Sequence, residues 1–571
     1  MRSSVNAFFL AWIVVVGWRS LQQWRLEQWG EQGFSWLPVD YWARQQAVKP
    51  AAMAAGVALL GFFLVEFLAA KKGKPWTGFS RIHRLWAHPV LFLLMGGAML
   101  VPSLKAELSR PDTKGRPNVV LVCVDTWRAD HASFLGYERE THPELAALAE
   151  RGVVFEQAVA QAPWTMPSVA TAFTSLVPSL HGARSHQVRQ KKVRGRRWVR
   201  LSENHAIVSE YFRNAGYQTA AWSRNPNIRP GTGFGSGFQS FRLYRGESGR
   251  TKEMVAAVQK WLNRERDDDL PFFLYMHIMD PHYPYEAPAP FRGRWGLAES
   301  ELRLTGELVE ERHAGRLPLT DAQVQQWLDA YDEELLSMDF SLAPFLDELM
   351  TRFPNTVVLV FGDHGDEFLE HGQTAAGEPG LLGHGHTLYD ELVHVPLLLW
   401  GPRIRPARVE AQVRVLDLLP TLVELGQLPQ GSWPKSHWQG SSLTPILQGL
   451  EQESRPAPME TGGDGRPPHH YRGLRTGDWK LIRREVDADN PEPYFELFHL
   501  REDPKEQVNL AAAQPERVAR MFQQLRDSGW YFDSEDPRLP QGLGVKGQVS
   551  PSMQRELNQL GYGGGEEEEE E

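Results

Sequence analysis

The runs Asn118-Val-Val-Leu-Val-Cys-Val-Asp125 and Thr356-Val-Val-Leu-Val-Phe-Gly-Asp363-His364-Gly365-Asp366-Glu367 decide the fold. Each is a short, uncharged, β-branched stretch that stops abruptly at acidic residues. An unbroken apolar run of this length suits a strand buried on both faces, as in parallel sheets covered by helices. Similar runs at Gln218–Trp222, Pro271–Ile278 and Val395–Trp400 alternate with helical candidates at Pro143–Arg151, Asn204–Ala215, Thr251–Arg264 and Ala322–Met350. That alternation predicts an α/β fold built on a doubly wound, mostly parallel sheet. In such sheets ligands gather at the carboxyl ends of the strands. Asp125 and the pair Asp363-His364 both fall there, so residues remote in sequence are expected on one edge.

Two carboxylates and an imidazole suit Mg²⁺, Mn²⁺, Ca²⁺ or Zn²⁺, with a position left for a substrate oxygen. A single Asp after a strand also serves as an N-cap of the next helix. Five consecutive residues, Asp363 to Glu367, with four of them polar or charged, call for a further reason. In Ala162-Pro-Trp-Thr-Met-Pro-Ser168, Thr165 or Ser168 can cap the helix that follows, with Pro167 in its first turn. A hydroxyl at that place also lies where backbone N–H groups and the helix dipole favour an anion. A metal within reach lowers the pKa of such a hydroxyl and turns it into a nucleophile.

The chain has 571 residues, and 42% of them are hydrophobic, enough for a sizeable core and more than one domain. Its single cysteine, Cys123, excludes an intramolecular disulfide and a zinc cluster of cysteine type. Its place in an apolar strand marks it as a buried thiol. Residues 1–105 carry eleven Lys or Arg against four acids, whereas the whole chain has a net charge of −10. Three apolar stretches lie in that basic section, Ala7–Trp18, Ala51–Ala70 and Pro89–Leu104. The second has the length of a membrane span, the third is close, and the first is short. Lys71, Lys72, Lys74, Arg81 and Arg84 separate the second from the third, which places that loop in the cytoplasm. Three spans then put everything after about residue 105 outside the cytoplasm, and two would leave it inside.

The segments Asn118–Asp130, Ala162–Gly182, His277–Tyr285, Phe361–Gly372 and Gly383–Pro396 together resemble the sulfatase family of the alkaline phosphatase superfamily. Tyr471–Leu510 looks like that family's small C-terminal subdomain. The resemblance runs in order from about residue 117 to 512. It implies a metal held by Asp125, Asp363 and His364, and a nucleophile at Thr165 whose oxygen also binds the metal. The departures bear on substrate. Sulfatases carry Cys-x-Pro-x-Arg, whose Cys or Ser becomes formylglycine, whereas this chain has Thr165-Met-Pro-Ser-Val169. Threonine cannot become that aldehyde, and the arginine is missing. Asp125-Thr126 replaces two adjacent Asp, and Ser223-Arg224-Asn225 stands where the family has Gly-Lys-Trp-His. A threonine nucleophile is similar to that of phosphodiesterases and of lipoteichoic-acid-synthase-type phosphotransferases.

The resemblance also implies that His282 contacts the transferred anion or the leaving group, beside Asn225. His384 or His386 is placed to protonate the leaving oxygen, and the sequence does not choose between them. A second metal on Asp280, His282 and His386 is a further option. Arg184–Arg200 holds eight Lys or Arg and no acid; it is expected to be a solvated loop, or a contact for anionic headgroups. The expected organisation is a membrane region at 1–106 with two to three transmembrane helices, a catalytic domain at 117–430, a small α+β subdomain at 431–535 and a tail at 536–571. The expected activity is metal-dependent cleavage or transfer of a sulfate or phosphate ester on a glycan, a lipid headgroup or a small molecule. Phosphoethanolamine or glycerol-phosphate transfer and non-catalytic ligand binding are the alternatives. The expected partners are the lipid bilayer and an anionic ester. No basic-aromatic stripe of the nucleic-acid-binding type is present.

Overall fold

The computed structural model describes residues 111–532, except 184, 191–192, 199, 245–249, 297–303, 314, 372–379, 430–437, 462–469 and 486–491, and except the side chains of 184–199. The chain divides into two compact units, one of them Phe34–Lys114, which lies almost wholly outside the described residues. The three apolar N-terminal stretches and the glutamate tail also lie outside them. Among the described residues no helix is long and apolar enough to cross a membrane.

Among the described residues the large sheet has nine strands: β1 Asn118–Val124, β2 Val153–Val159, β3 Gln218–Ser223, β4 Ser240–Leu243, β5 Phe272–Ile278, β6 Thr356–Gly362, β7 His394–Trp400, β8 Ala407–Val409 and β9 Val413–Arg414. Their order is β8-β2-β7-β6-β1-β5-β3-β4, with β9 beside β2. All pairings are parallel except the two made by β7. The five expected strands are present. β2, which reads Val-Val-Phe-Glu-Gln-Ala-Val, escaped notice because Glu156 and Gln157 interrupt its apolar run.

Side chains of β1 alternate between two cores, as the period-2 geometry of a strand requires. Val119, Leu121 and Cys123 join one core with α2 (Thr165–Thr174), α3 (Val208–Asn214) and α6 (Leu418–Leu425). Val120, Val122 and Val124 join the other with α1 (Pro143–Ala149), α4 (Thr251–Arg264) and α5 (Asp321–Arg352). The sheet is therefore the middle layer of three. Thr320 starts α5 by accepting from the Gln323 N–H, in a capping box.

A second sheet is antiparallel, in the order β10 (Ala457–Glu460), β11 (Tyr471–Thr476), β12 (Trp479–Arg484), β13 (Tyr494–His499). One face packs Ile482 and Phe498 on Leu388, Tyr389 and Leu392. The other packs Leu481 and Leu497 on Met521 of α7 (Pro515–Asp527). The basic segment expected as a loop forms a hairpin instead, Ser185–Gln190 paired with Val193–Trp198. Val188 and Val193 lend it strand character, and Gly195 falls opposite Val188.

Candidate active site

Four neighbouring strands, β6, β1, β5 and β3, deliver polar residues to one sheet edge. Asp125 follows β1 directly, Asp363 and His364 follow β6, Asn225 lies two residues beyond β3, and His277 is the penultimate residue of β5. All five are fully buried. Thr126, next to Asp125, holds a left-handed backbone at φ 51, an outlier for a β-branched residue of the kind that clusters at functional sites. After β6 the chain passes so close to the Glu391 carbonyl that a Cβ on Gly365 would lie 1.9 Å from its oxygen, so only glycine fits.

Thr165 is the first residue of α2. Trp164 occupies the N-cap position and no side chain caps the helix, which corrects the expectation that Thr165 or Ser168 does so. Ser168 donates to the Asp363 carbonyl (2.6 Å) and so ties α2 to the end of β6. The Thr165 hydroxyl turns into the site, 3.2 Å from His364 Nε2 and 3.4 Å from Asp125 Oδ2. The Asn227 N–H occupies Asn225 Oδ1 (2.8 Å), which leaves Nδ2 to donate to Asp125 Oδ2 (2.6 Å) and Thr165 Oγ1 (3.3 Å).

His364 Nδ1 lies 2.8 Å from the Gly365 carbonyl. A carbonyl only accepts, so Nδ1 carries the proton and Nε2 presents a lone pair. That lone pair lies 3.5 Å from Asp125 Oδ1 and 3.7 Å from Asp363 Oδ2. Burial, with the neighbouring His384, lowers the His364 pKa to about 3 and keeps the ring neutral. Burial and the Asp125 charge push the Asp363 carboxyl well above its usual range. Burial acts on Asp125 in the same direction, but the hydrogen bond with His277 and the nearby imidazoles outweigh it and hold that carboxyl below the usual range.

This donor set fits a divalent cation. Among the described residues, Asp125 Oδ1 and Asp363 Oδ2 are buried without a hydrogen-bond partner. One oxygen or nitrogen from each of Asp125, Asp363 and His364 lies within 4.8 Å of the others. His364 gives its other N–H to a carbonyl, as metal-bound histidines do. Cys123, His277 and Asp363 form a second such trio, yet burial raises the Cys123 thiol well above its ordinary pKa, so it stays a neutral core group.

The histidines separate. His384 Nδ1 pairs with Asp366 Oδ1 (2.8 Å), and its ring lies 4.5 Å from the His364 ring and 5.0 Å from His282. The Tyr285 hydroxyl donates to the other Asp366 oxygen (2.7 Å). His282 Nδ1 is 2.6 Å from the Tyr283 carbonyl. His386, by contrast, pairs with Glu367 Oε2 (2.9 Å) and its ring lies beside that of His313, so it is not brought to the cluster. Gly385 separates the two histidines, and a φ of 93° there turns them apart. The second-metal grouping of Asp280, His282 and His386 does not form either. Asp280 Oδ2 accepts from the Thr251 N–H and hydroxyl at the start of α4. Two residues of the site were missed, His277 and Asp366. A histidine inside the otherwise apolar strand Phe-Phe-Leu-Tyr-Met-His-Ile was the available signal for the first.

Residues 117–428 match the family model described as sulfatase, and 377–528 match the one described as N-sulphoglucosamine sulphohydrolase, C-terminal. The chain belongs to the sulfatase family, whose enzymes hydrolyse sulfate esters and typically bind a divalent metal. It is 24% identical to arylsulfatase K of Gallus gallus, over 76% of this chain and 86% of the relative. It is 25% identical to choline-sulfatase of Rhizobium meliloti, over 74% and 89%. Its fold resembles the phosphonate monoester hydrolase of Agrobacterium radiobacter, with a TM-score of 0.55 and 18% identity over 72% of this chain and 95% of that one.

Proposed function

We propose that this protein is a metal-dependent ester hydrolase or transferase that uses Thr165 as its nucleophile and acts on a phosphate ester. The convergence of Asp125, Asn225 and His364 on the Thr165 hydroxyl carries this reading. A cation on Asp125, Asp363 and His364 would neutralise charge on the transferred group and acidify that hydroxyl. Thr165 Oγ1, its proton released to solvent, attacks the phosphorus and forms a phosphothreonine. His384, oriented by Asp366, protonates the departing alcohol oxygen. Asn225 and the first turn of α2 hold the transferred group, and His282 stands beside His384. Water or a second alcohol then takes the group from Thr165, which separates hydrolase from transferase.

Threonine cannot supply formylglycine, and this favours phosphate over sulfate. Sulfate is the second reading, favoured by the names of the curated relatives and by the model matching 377–528. The test is turnover of nitrophenyl sulfate, a nitrophenyl phosphate monoester and a nitrophenyl phosphodiester by the full chain with a divalent cation. The phosphate esters are expected to turn over faster, and Thr165→Ala to lose at least about 10³-fold in kcat. Undiminished activity in that variant rejects the nucleophile, and a preference for the sulfate ester rejects the phosphate reading.

The apolar stretches of residues 1–106 support a membrane anchor with the catalytic domain outside the cytoplasm, near an envelope glycan or lipid headgroup. Protease added to spheroplasts is expected to cut that domain; protection until the cytoplasmic membrane is opened rejects this orientation.

A further inference from the structure

His277 has no role in the scheme above. It is fully buried in β5, a strand otherwise made of apolar and aromatic residues, between Cys123 of β1 and Ser223 of β3 in register. A buried histidine among hydrocarbon is costly unless both nitrogens are satisfied. Here they are. Nε2 lies 3.0 Å from Asp125 Oδ2, and Nδ1 lies 2.8 Å from the Tyr275 hydroxyl.

The chemistry of the partners sets the proton positions. A carboxylate accepts only, so the His277 Nε2–H donates to Asp125. In the neutral ring Nδ1 then accepts, and the Tyr275 hydroxyl donates to it. The chain Tyr275→His277→Asp125 therefore runs one way. Asn225 Nδ2 adds a second donor to the same Asp125 oxygen. Both bonds fall on Oδ2. Oδ1 accepts none, and it is the oxygen that faces His364 Nε2.

We infer that His277 is a positioning residue for the metal centre: backed by Tyr275, it pins Asp125 Oδ2 so that Oδ1 alone is presented to the cation. This rests on the assignment of Asp125, Asp363 and His364 as metal ligands. It goes further by stating which Asp125 oxygen binds and what fixes it. Partners of metal ligands typically carry 10- to 100-fold in metal affinity, in the order of magnitude known for such outer contacts.

The test is titration of the metal-stripped full chain with Mn²⁺ alone and with Ca²⁺ alone, followed by calorimetry. His277→Leu removes the donor and is expected to weaken cation binding about 10- to 100-fold. His277→Gln keeps an N–H near the Nε2 position and is expected to stay within about threefold of the parent, because one donor still reaches Oδ2. Tyr275→Phe leaves His277 in place but frees its tautomer, so a loss between the two is expected. Melting of the metal-stripped proteins separates misfolding from lost positioning, since a purely structural role would lower the melting temperature of Leu and Gln variants alike. Binding by His277→Leu within about twofold of the parent overturns the inference, and so does an equal loss in His277→Gln. A parent that binds neither cation overturns the metal assignment itself, and this inference with it.

Discussion

Two of the buried carboxylate clusters among the described residues differ in where their positive charge comes from. Beneath the antiparallel sheet, Asp390 and Glu506 surround Lys480, which is fully buried, at 2.5 and 2.9 Å. Arg475 adds a 2.8 Å contact to Asp390 and reaches Gln412 and Gln157. The chain supplies its own cations there. At the edge of the large sheet, Asp125 and Asp363 meet imidazoles, the Asn225 amide, the Thr165 hydroxyl and a backbone N–H but, among the described residues, no Lys or Arg, and each keeps a buried oxygen without a hydrogen bond. The first cluster is complete as folded and acts as a fastener between the second sheet and the segment after His386. The second is short of positive charge, which is the expected condition of a site that takes its cation from solution.

Breaking one acid in each cluster gives the largest contrast. Asp390→Asn leaves Lys480 and Arg475 buried with half their counter-charge and is expected to destabilise the fold by about 3–5 kcal/mol, read by denaturant unfolding. Asp363→Asn relieves repulsion with Asp125 and is expected to leave the metal-free protein as stable as the parent or more so. A cation at a hundredfold excess over its Kd should stabilise the parent by about 2.7 kcal/mol and Asp363→Asn not at all. Equal destabilisation by the two substitutions would erase the distinction.

The pair His384 and His386 sharpens the comparison inside the catalytic side. His384→Ala is expected to lower kcat about 10²- to 10⁴-fold, least with a good leaving group, as loss of a general acid does. His386→Ala, which loses a contact with Glu367, is expected to fall less than about tenfold. Steady-state kinetics with nitrophenyl and alkyl esters checks both.

A further effect is in pH. The ion pair of His371 with Glu391, 2.8 Å apart, outweighs burial and raises the His371 pKa from 6.5 to about 9. A group raised in the folded state adds stability below its unfolded pKa and loses it as pH climbs through the folded one. At most about 3 kcal/mol should therefore disappear between pH 6.5 and 9, and His371→Gln should flatten that slope in urea melts.

Much of this was legible in advance where local pattern and position coincide. The runs ending at Asp125 and Asp363 are apolar to their last residue, so strand, sheet edge and candidate ligand were read together. Thr165 was found by motif, but only the fold shows that Trp164 takes the capping position and leaves the hydroxyl for the site. His277 stayed hidden because its meaning lies in its register neighbours across β1 and β3. The choice between His384 and His386 depended on the backbone turn at Gly385, which their identical chemistry cannot reveal. The hairpin at 185–198 was masked by its charge, which argued for a loop.

The central claim is that Thr165 carries the transferred group. The most direct measurement is mass spectrometry of the Thr165 peptide after rapid acid quench of the full chain turning over a phosphate ester with a divalent cation. The account predicts a phosphoryl adduct on Thr165 that appears within one turnover and is absent from Thr165→Ala, as covalent catalysis requires. Full turnover with an unmodified Thr165, in a protein whose Thr165→Ala variant is equally active, would contradict it.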